Sequence, residues 1–217
     1  MGRNETLKYI SDKFNINFEQ KSPIKLPIDR FRGLTSLWRE LGFKVGAEIG
    51  VSTGRYSKWI CIKSRCKKLY LIDPYKAYPE YVEKHDEQGQ KELNEIYEQA
   101  KARLAKFNIE FVKKTSMEAV KDFNDNSLDF VFIDGNHTFE YVVNDISQWE
   151  KKVKPGGIIS GHDYWNSENV KHLWANVTEP VQIRKLCQVQ TVVNAWTSAN
   201  KINPWFLTKD RTWFYIK

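Results

Sequence analysis

Three side chains in the second half of the chain, Asp134, His137 and Asp163, have the types and spacing needed to activate a hydroxyl group. Asp134 closes the apolar run Leu128 to Ile133, and Asp163 stands just beyond a second apolar run, Gly157 to Gly161. If the two runs are neighbouring strands of a parallel sheet, both carboxylates reach one crevice at the strands' carboxyl ends. Paired carboxylates attract a hard cation such as Mg2+, with water or substrate hydroxyls completing its shell. An alcohol is a poor nucleophile until a metal binds it or a base takes its proton, and the near-neutral intrinsic pKa of His137 suits the second task. A histidine in a loop entering a helix can also be a capping or hydrogen-bonding residue; its place beside Asp134 favours the base. His162, between Gly161 and Asp163, suits an orienting position behind the ligands.

A second constellation lies earlier, at Ala47-Glu48-Ile49-Gly50-Val51-Ser52-Thr53-Gly54. It follows an apolar strand and precedes a helical run, Tyr56 to Ile62, so its two glycines can bring backbone close to a ligand. A dinucleotide site would read Gly-x-Gly-x-x-Gly and a phosphate loop would end in Gly-Lys-Ser/Thr; neither is present. The next apolar run ends at Ile72-Asp73, where a carboxylate can accept both hydroxyls of a ribose. An aspartate before Pro74 is often only a turn residue, and Ser116, which opens a short helical run, is often only a cap.

The elements that must position these residues alternate between short apolar runs and helical segments, the mark of an α/β parallel sheet. Strands are predicted at Lys44 to Ile49, Lys68 to Ile72, Ile109 to Lys113, Leu128 to Ile133 and Gly157 to Gly161. Phe139, Val142, Val143, Ile146, Trp149 and Val153 recur at helical steps, and Pro155-Gly156-Gly157 ends that helix. Trp205 to Leu207 and Thr212 to Ile216 read as a closing antiparallel hairpin. Residues 74–90, with Tyr75, Tyr78 and Tyr81, form too long a connection for a tight turn and are expected to be a lid or substrate loop, a plain surface insertion being the other reading.

The spacing of Glu48, Gly50 and Gly54 resembles the first motif of class I methyltransferases that use S-adenosylmethionine (SAM). From Leu128 to Tyr164, the Asp134-Gly135-Asn136-His137 loop, the amphipathic helix, Lys154-Pro155-Gly156-Gly157 and Gly161-His162-Asp163-Tyr164 resemble the metal-associated sugar O-methyltransferases of macrolide tailoring and, more distantly, catechol O-methyltransferases. The resemblance covers about residues 44–164 and implies a Rossmann-like fold: a mostly parallel seven-stranded sheet, helices on both faces, and a C-terminal antiparallel hairpin. It implies that Glu48, Gly50, Ser52 and Gly54 line the methionine end of SAM, that Asp73 binds its ribose, that Ser116 and Met117 clasp its adenine, and that Asp134 also borders the cofactor. It implies His137 as base and Asp134 and Asp163 as ligands of Mg2+. Catechol-type enzymes carry Asn directly after the second Asp; here Tyr164 intervenes, so the third ligand is open between Asn166, Glu48 and water, and a metal-free enzyme relying on His137 stays open too.

Composition bounds the rest. The 217 residues suit a single domain, 1–217, with residues 1–43 as a helical cap, and 41% hydrophobic residues suffice for a core. No run approaches the roughly 20 apolar residues of a membrane span, and Met1 to Phe14 lacks a leader pattern, so a cytoplasmic protein with no membrane partner is expected. The Met1 to Thr6 run fits the bare myristoylation pattern by chance. Cys61, Cys66 and Cys187 suggest neither a disulfide framework nor a zinc site. The net charge of +7 is spread over scattered lysines, which reads as a solvated surface, though nucleic acid or an acidic substrate would also suit it. The expected acceptor is a small molecule, a sugar or nucleotide-linked sugar, for which Trp165, Trp174, Trp196 and Trp205 offer stacking faces if they are not core. Two other readings remain: a methyltransferase acting on RNA or other nucleic acid, against which stands the lack of an Asn/Asp-Pro-Pro-Tyr/Phe loop after the fourth strand, and a catalytically inactive SAM-binding module. Assembly into a homo-oligomer is unreadable from the sequence.

Overall fold

Strands form where the apolar runs are bounded by glycine, proline or charge, and the central ones, β2, β5 and β6, are buried on both faces. The computed structural model describes residues 2–77, 87–165 and 187–217. Its elements are α1 (Arg3–Phe14), β1 (Ile24–Lys25), a π-turn at Arg30–Leu34 leading into α2 (Thr35–Glu40), β2 (Val45–Ile49), α3 (Arg55–Ser64), β3 (Lys68–Ile72), α4 (Glu87–Leu104) and β4 (Ile109–Val112). There follow α5 (Ser116–Ala119), β5 (Leu128–Ile133), α6 (Phe139–Lys152), β6 (Val153–Gly161), α7 (Val189–Ala199), β7 (Trp205–Leu207) and β8 (Trp213–Ile216).

The sheet order is β1-β7-β8-β6-β5-β2-β3-β4. Strands β4, β3, β2, β5 and β6 are mutually parallel, and β8 is antiparallel to both β6 and β7. Among the described residues the sheet has eight strands where seven are expected from the sequence: the cap contributes β1, a two-residue edge strand parallel to β7 and too short to leave a periodic signal. Because β2 is followed by β3 on one side and has β5 on the other, the chain reverses direction across the sheet there, and a crevice opens at the carboxyl ends of β2, β3 and β5.

Alternation along each strand builds two cores. Ala47, Ile49, Val131, Ile133 and Ile159 face α6 and α7, with Val142, Ile146, Trp149, Val192 and Val193. Leu69, Leu71, Phe130, Phe132 and Ile158 face the other layer, with Ile10, Leu37, Trp38, Ile60 and Leu104 from α1 to α4. Phe130 is fully buried, stacks on Trp38 at a centroid distance of 4.1 Å and fills the space above Gly46, where a Cβ would lie 2.1 Å from its ring.

Two boundaries move. The helix α6 ends at Lys152 and Val153 already pairs with Leu128, so Val153 belongs to the strand; the register then shifts between Leu128 and Phe130, and this irregularity admits Pro155 into β6. The predicted loop 74–90 is also shorter, since Glu87 opens α4 and Tyr75 is buried against Tyr97 and Phe111. Residues 78–86, with Tyr78 and Tyr81, lie outside the described residues, as do Asn166 and Trp174. No helix of the described residues is long and apolar enough to cross a membrane.

Truncating Phe130 leaves a large void between two helices and the sheet. Phe130→Ala is expected to lower unfolding free energy by about 3–5 kcal/mol in a urea titration, whereas Ile62→Ala, at a half-exposed position, is expected to change it by no more than about 0.5 kcal/mol.

Candidate functional site

The crevice is built on one backbone contact. Gly50 sits at φ +84°, a conformation disfavoured for residues with a Cβ, and a Cβ there would lie 2.1 Å from the carbonyl oxygen of Asp134. The loops after β2 and β5 therefore touch backbone to backbone, and the Asp134 amide donates to Ile49 O at 2.7 Å. Asp73, at the end of β3, gathers the glycine loop: its Oδ2 accepts from the amides of Val51 and Ser52 at 3.0 Å each, and its Oδ1 from Tyr75 at 2.9 Å. Burial raises the Asp73 pKa, and the three amide bonds oppose it. Gly54 caps α3 at φ +70° against Leu104. Gly50, Ser52, Gly54 and Asp73 thus lie together at the mouth of the crevice.

Glu48 lies elsewhere. Its side chain is 2% exposed and tucked beneath the loop, where Ser57 Oγ donates to Oε2 at 2.5 Å. Burial pushes its pKa up to about 8, the Ser57 bond opposes the shift, and the charges of Asp134 and Asp73 add to it. The carboxyl is therefore largely neutral at neutral pH and supports the loop from below.

Ser116 opens α5, but Thr115 is the cap, in a capping box with Glu118. The Ser116 hydroxyl donates to Asp145 Oδ1 and accepts from Trp149 Nε1 at 2.8 Å. Met117 is partly buried against the α6 core. Asp145 is absent from the sequence-derived set, although it had a signal: a carboxylate at the buried stripe Val142, Ile146 and Trp149 of α6. It is 3% exposed, and burial raises its pKa to about 7 against the pull of Ser116 and of the His137 charge.

At the ends of β5 and β6 four side chains converge. His137 Nε2 lies 3.4 Å from Asp134 Oδ1 and 3.5 Å from Asp163 Oδ2, and it is buried without a hydrogen bond. His162 Nδ1 lies 2.9 Å from Asp163 Oδ1 and 3.9 Å from Asp134 Oδ1. Burial alone would lower the His137 pKa, but the Asp134 and Asp163 carboxylates outweigh it and raise it. Burial would raise Asp163, yet its bond to His162 and the charges of His162, His137 and Arg30 hold it down at about 2. Two of the neighbours had not been picked out in the sequence. Arg30, from the π-turn, places Nη1 3.8 Å from Asp134 Oδ2 and its Nε 3.8 Å from Asp210 Oδ2, the latter in the turn between β7 and β8. No spacing signal links either residue to the crevice.

The donor set fits a divalent cation. His162 Nε2 is 2.9 Å from the Asp210 carbonyl, which can only accept, so Nε2 donates there; Nδ1 faces Asp163 Oδ1 at 2.9 Å and would be open to a cation only in its unprotonated form. Ligand atoms of Asp134, His162 and Asp163 lie within 4.8 Å of one another, a mixed oxygen and imidazole set. Of the third ligands left open by the sequence, Glu48 is turned away beneath the loop and Asn166 lies outside the described residues; His162 stands beside both aspartates. Trp205 is buried against Tyr164, and Trp196 donates to Glu150 and packs on the α6 core, so both serve the interior; Trp165 stays partly exposed beneath the Arg211 guanidinium at 3.9 Å.

Residues 47–164, just over half of the chain, match a family model described as "Methyltransferase domain". Among curated proteins, an uncharacterized protein, y4gI, of Sinorhizobium fredii is 32% identical over 73 residues; the match takes in 34% of this chain and only 8% of that protein. Among solved structures, a putative caffeoyl-CoA O-methyltransferase from Staphylococcus aureus superposes with a TM-score of 0.59 at 16% identity, over 98% of this chain and 91% of that one. Rv0187 from MTB, solved with cofactor bound, gives 0.58 at 13% identity over 98% and 89%. The O-methyltransferase TomG of Streptomyces achromogenes, solved with SAM, gives 0.52 at 14% identity over 98% and 90%. At these identities the likeness is one of fold.

The buried carboxyl of Glu48 makes stability depend on pH. Its pKa is higher folded than unfolded, so the folded state binds more protons between about pH 4.5 and 8, and stability falls as pH rises through that window. Glu48→Gln, which keeps the shape and stays neutral, is expected to flatten the decline of the melting temperature from pH 5 to 8 by several degrees; an unchanged pH profile would show that Glu48 is ionised in the folded chain.

Proposed function

We infer the reaction from one premise: the chain belongs to the methyltransferase-domain family. On that premise it is a class I SAM-dependent methyltransferase, and we propose that it transfers the methyl group to a hydroxyl of a small molecule, a sugar or glycosylated metabolite, with Mg2+ or a related divalent cation and His137 as base. The observation that carries the reading is the Gly50–Asp134 backbone contact, which makes the nucleoside crevice continuous with the Asp134, His137 and Asp163 cluster.

SAM supplies an electrophilic methyl on a sulfonium, and a cation held by Asp134, Asp163 and His162 would lower the pKa of an acceptor hydroxyl. The chain does the rest. Asp73 keeps lone pairs beyond those its three amide bonds use, and these can accept ribose hydroxyls. The amides and carbonyls of residues 50–54 border the amino-acid tail, and Ser116 and Met117 flank the base. His137 Nε2 has no hydrogen bond of its own and can take the hydroxyl proton as the oxygen attacks; the resulting imidazolium lies between Asp134 and Asp163, which stabilise it. Phe139, 48% exposed and two residues beyond His137, offers an apolar face for the acceptor, in keeping with a sugar ring.

His137→Ala is expected to reduce release of S-adenosylhomocysteine by at least about 100-fold while calorimetric binding of SAM stays within a few-fold of the parent; loss of both would make His137 structural. Excess chelator is expected to suppress turnover and added Mg2+ or Mn2+ to restore it, and full activity in chelator would leave His137 without a metal partner. Failure of SAM to bind at millimolar concentration would remove the function altogether.

A further inference from the structure

Asp145 is a buried carboxylate that the methyl-transfer chemistry above does not use. It and Trp149 lie one helical turn apart on the buried face of α6, both essentially inaccessible to solvent, with Trp149 held edge-on by Phe123 at 5.1 Å. Both reach the same small group, the Ser116 hydroxyl: its proton goes to Asp145 Oδ1, and one lone pair receives Trp149 Nε1–H at 2.8 Å. An indole N–H can only donate. A hydroxyl has one proton and two lone pairs, so a single lone pair is left for anything else. Asp145 Oδ2 lies on the Gly135 side, 3.9 Å from where a Cβ on Gly135 would stand, so the pair sits behind the wall of the crevice formed by the β4–α5 and β5–α6 loops.

We propose that Asp145 and Trp149 fix the Ser116 hydroxyl as an acceptor, so that this wall selects a nucleoside whose base presents an amino donor and rejects one that presents a carbonyl. The inference rests on the SAM reading of the crevice and deepens it. An adenine amino group meets the free lone pair of Ser116; a 6-oxo purine sets two acceptors face to face, and the hydroxyl cannot turn to meet it without abandoning Asp145 to an apolar interior. Asp145 and Trp149 are positioning residues here, since both act through Ser116.

The test is calorimetric binding, at about pH 8.5 where a carboxyl with a pKa of about 7 is ionised, of S-adenosylhomocysteine and of its deaminated counterpart, S-inosylhomocysteine, to the purified full chain, which needs no acceptor and no turnover. The parent is expected to prefer the adenosyl compound by on the order of tenfold or more. Asp145→Asn keeps the shape but offers an amide N–H that lets the serine proton turn outward; the preference is expected to fall to about two-fold. Ser116→Ala, at a half-exposed helix start, removes the hydroxyl and is expected to lose the preference likewise, while both variants still bind the adenosyl compound and keep the parent's far-ultraviolet circular dichroism. Should Asp145→Asn unfold, Ser116→Ala decides alone. An undiminished preference in the folded variants, or a parent that binds both compounds equally, overturns the proposal while leaving SAM binding intact; a parent that binds neither overturns the cofactor reading and this proposal with it.

Discussion

The site depends on how closely two loops approach. Strands β2 and β5 pair in parallel with Ile49 opposite Ile133, so whatever follows each strand emerges side by side. Only glycine at position 50 allows the backbones to touch, because any side chain would enter the Asp134 carbonyl. One contact thereby sets the distance between the loop that borders a nucleoside and the first carboxylate of the charged cluster. The neighbouring pairs, β2 with β3 and β5 with β6, then carry Asp73 and Asp163 to the same edge.

Five carboxyl groups share this edge of the sheet, and each escapes repulsion by a different means. Glu48 is buried deeply enough to stay protonated at neutral pH. Asp73 is held by three amides, Asp163 by His162, and Asp134 lies between the Arg30 guanidinium and His137. Asp210 is bound through its carboxylate to the Arg30 amide and the Thr208 hydroxyl. Ligand atoms of Asp134 and Asp163 converge with one from His162, all within 4.8 Å of one another.

The sequence displays the parallel core and the crevice clearly, because a strand buried on both faces must be an unbroken apolar run and its carboxyl end must bear the polar residue that follows. Lys68–Ile72 and Leu128–Ile133 come out with the boundaries expected of them. The β6 boundary is harder: the periodicity of α6 runs smoothly into Val153, and only the irregular pairing with Leu128 shows where the helix yields to the sheet. Strand β1 is invisible, two residues being too few for any period. The residues that lie in or just after the strand-end loops carry a sequence signal, and those brought in from the cap and the hairpin do not. Arg30 is far from the motifs, and its role follows from the π-turn that aims it inward. His162 looks like a neighbour of Asp163 in sequence, but its orientation depends on the Asp210 carbonyl that meets its Nε2.

That dependence ties the site to both ends of the chain. The Asp210 turn is gripped from the cap, since the Arg30 amide donates to the Asp210 carboxylate and the Lys209 amide to Ile28 O. β1 adds a parallel pair to β7 beside it, and Thr6 of α1 donates to Gly156 O at the start of β6. The cap thus holds β6 at its start through Thr6 and the Asp210 turn at its carboxyl end through Arg30, and that turn cannot part from the sheet without releasing His162 or Arg30. The partners of the charged cluster, Arg30 and the Asp210 carbonyl, are therefore supplied by the cap and the hairpin, whereas the Gly50–Asp134 contact needs only the central strands. The crevice for the nucleoside and the cluster beside it, adjacent in space, draw on parts of the fold with different dependence on tertiary closure.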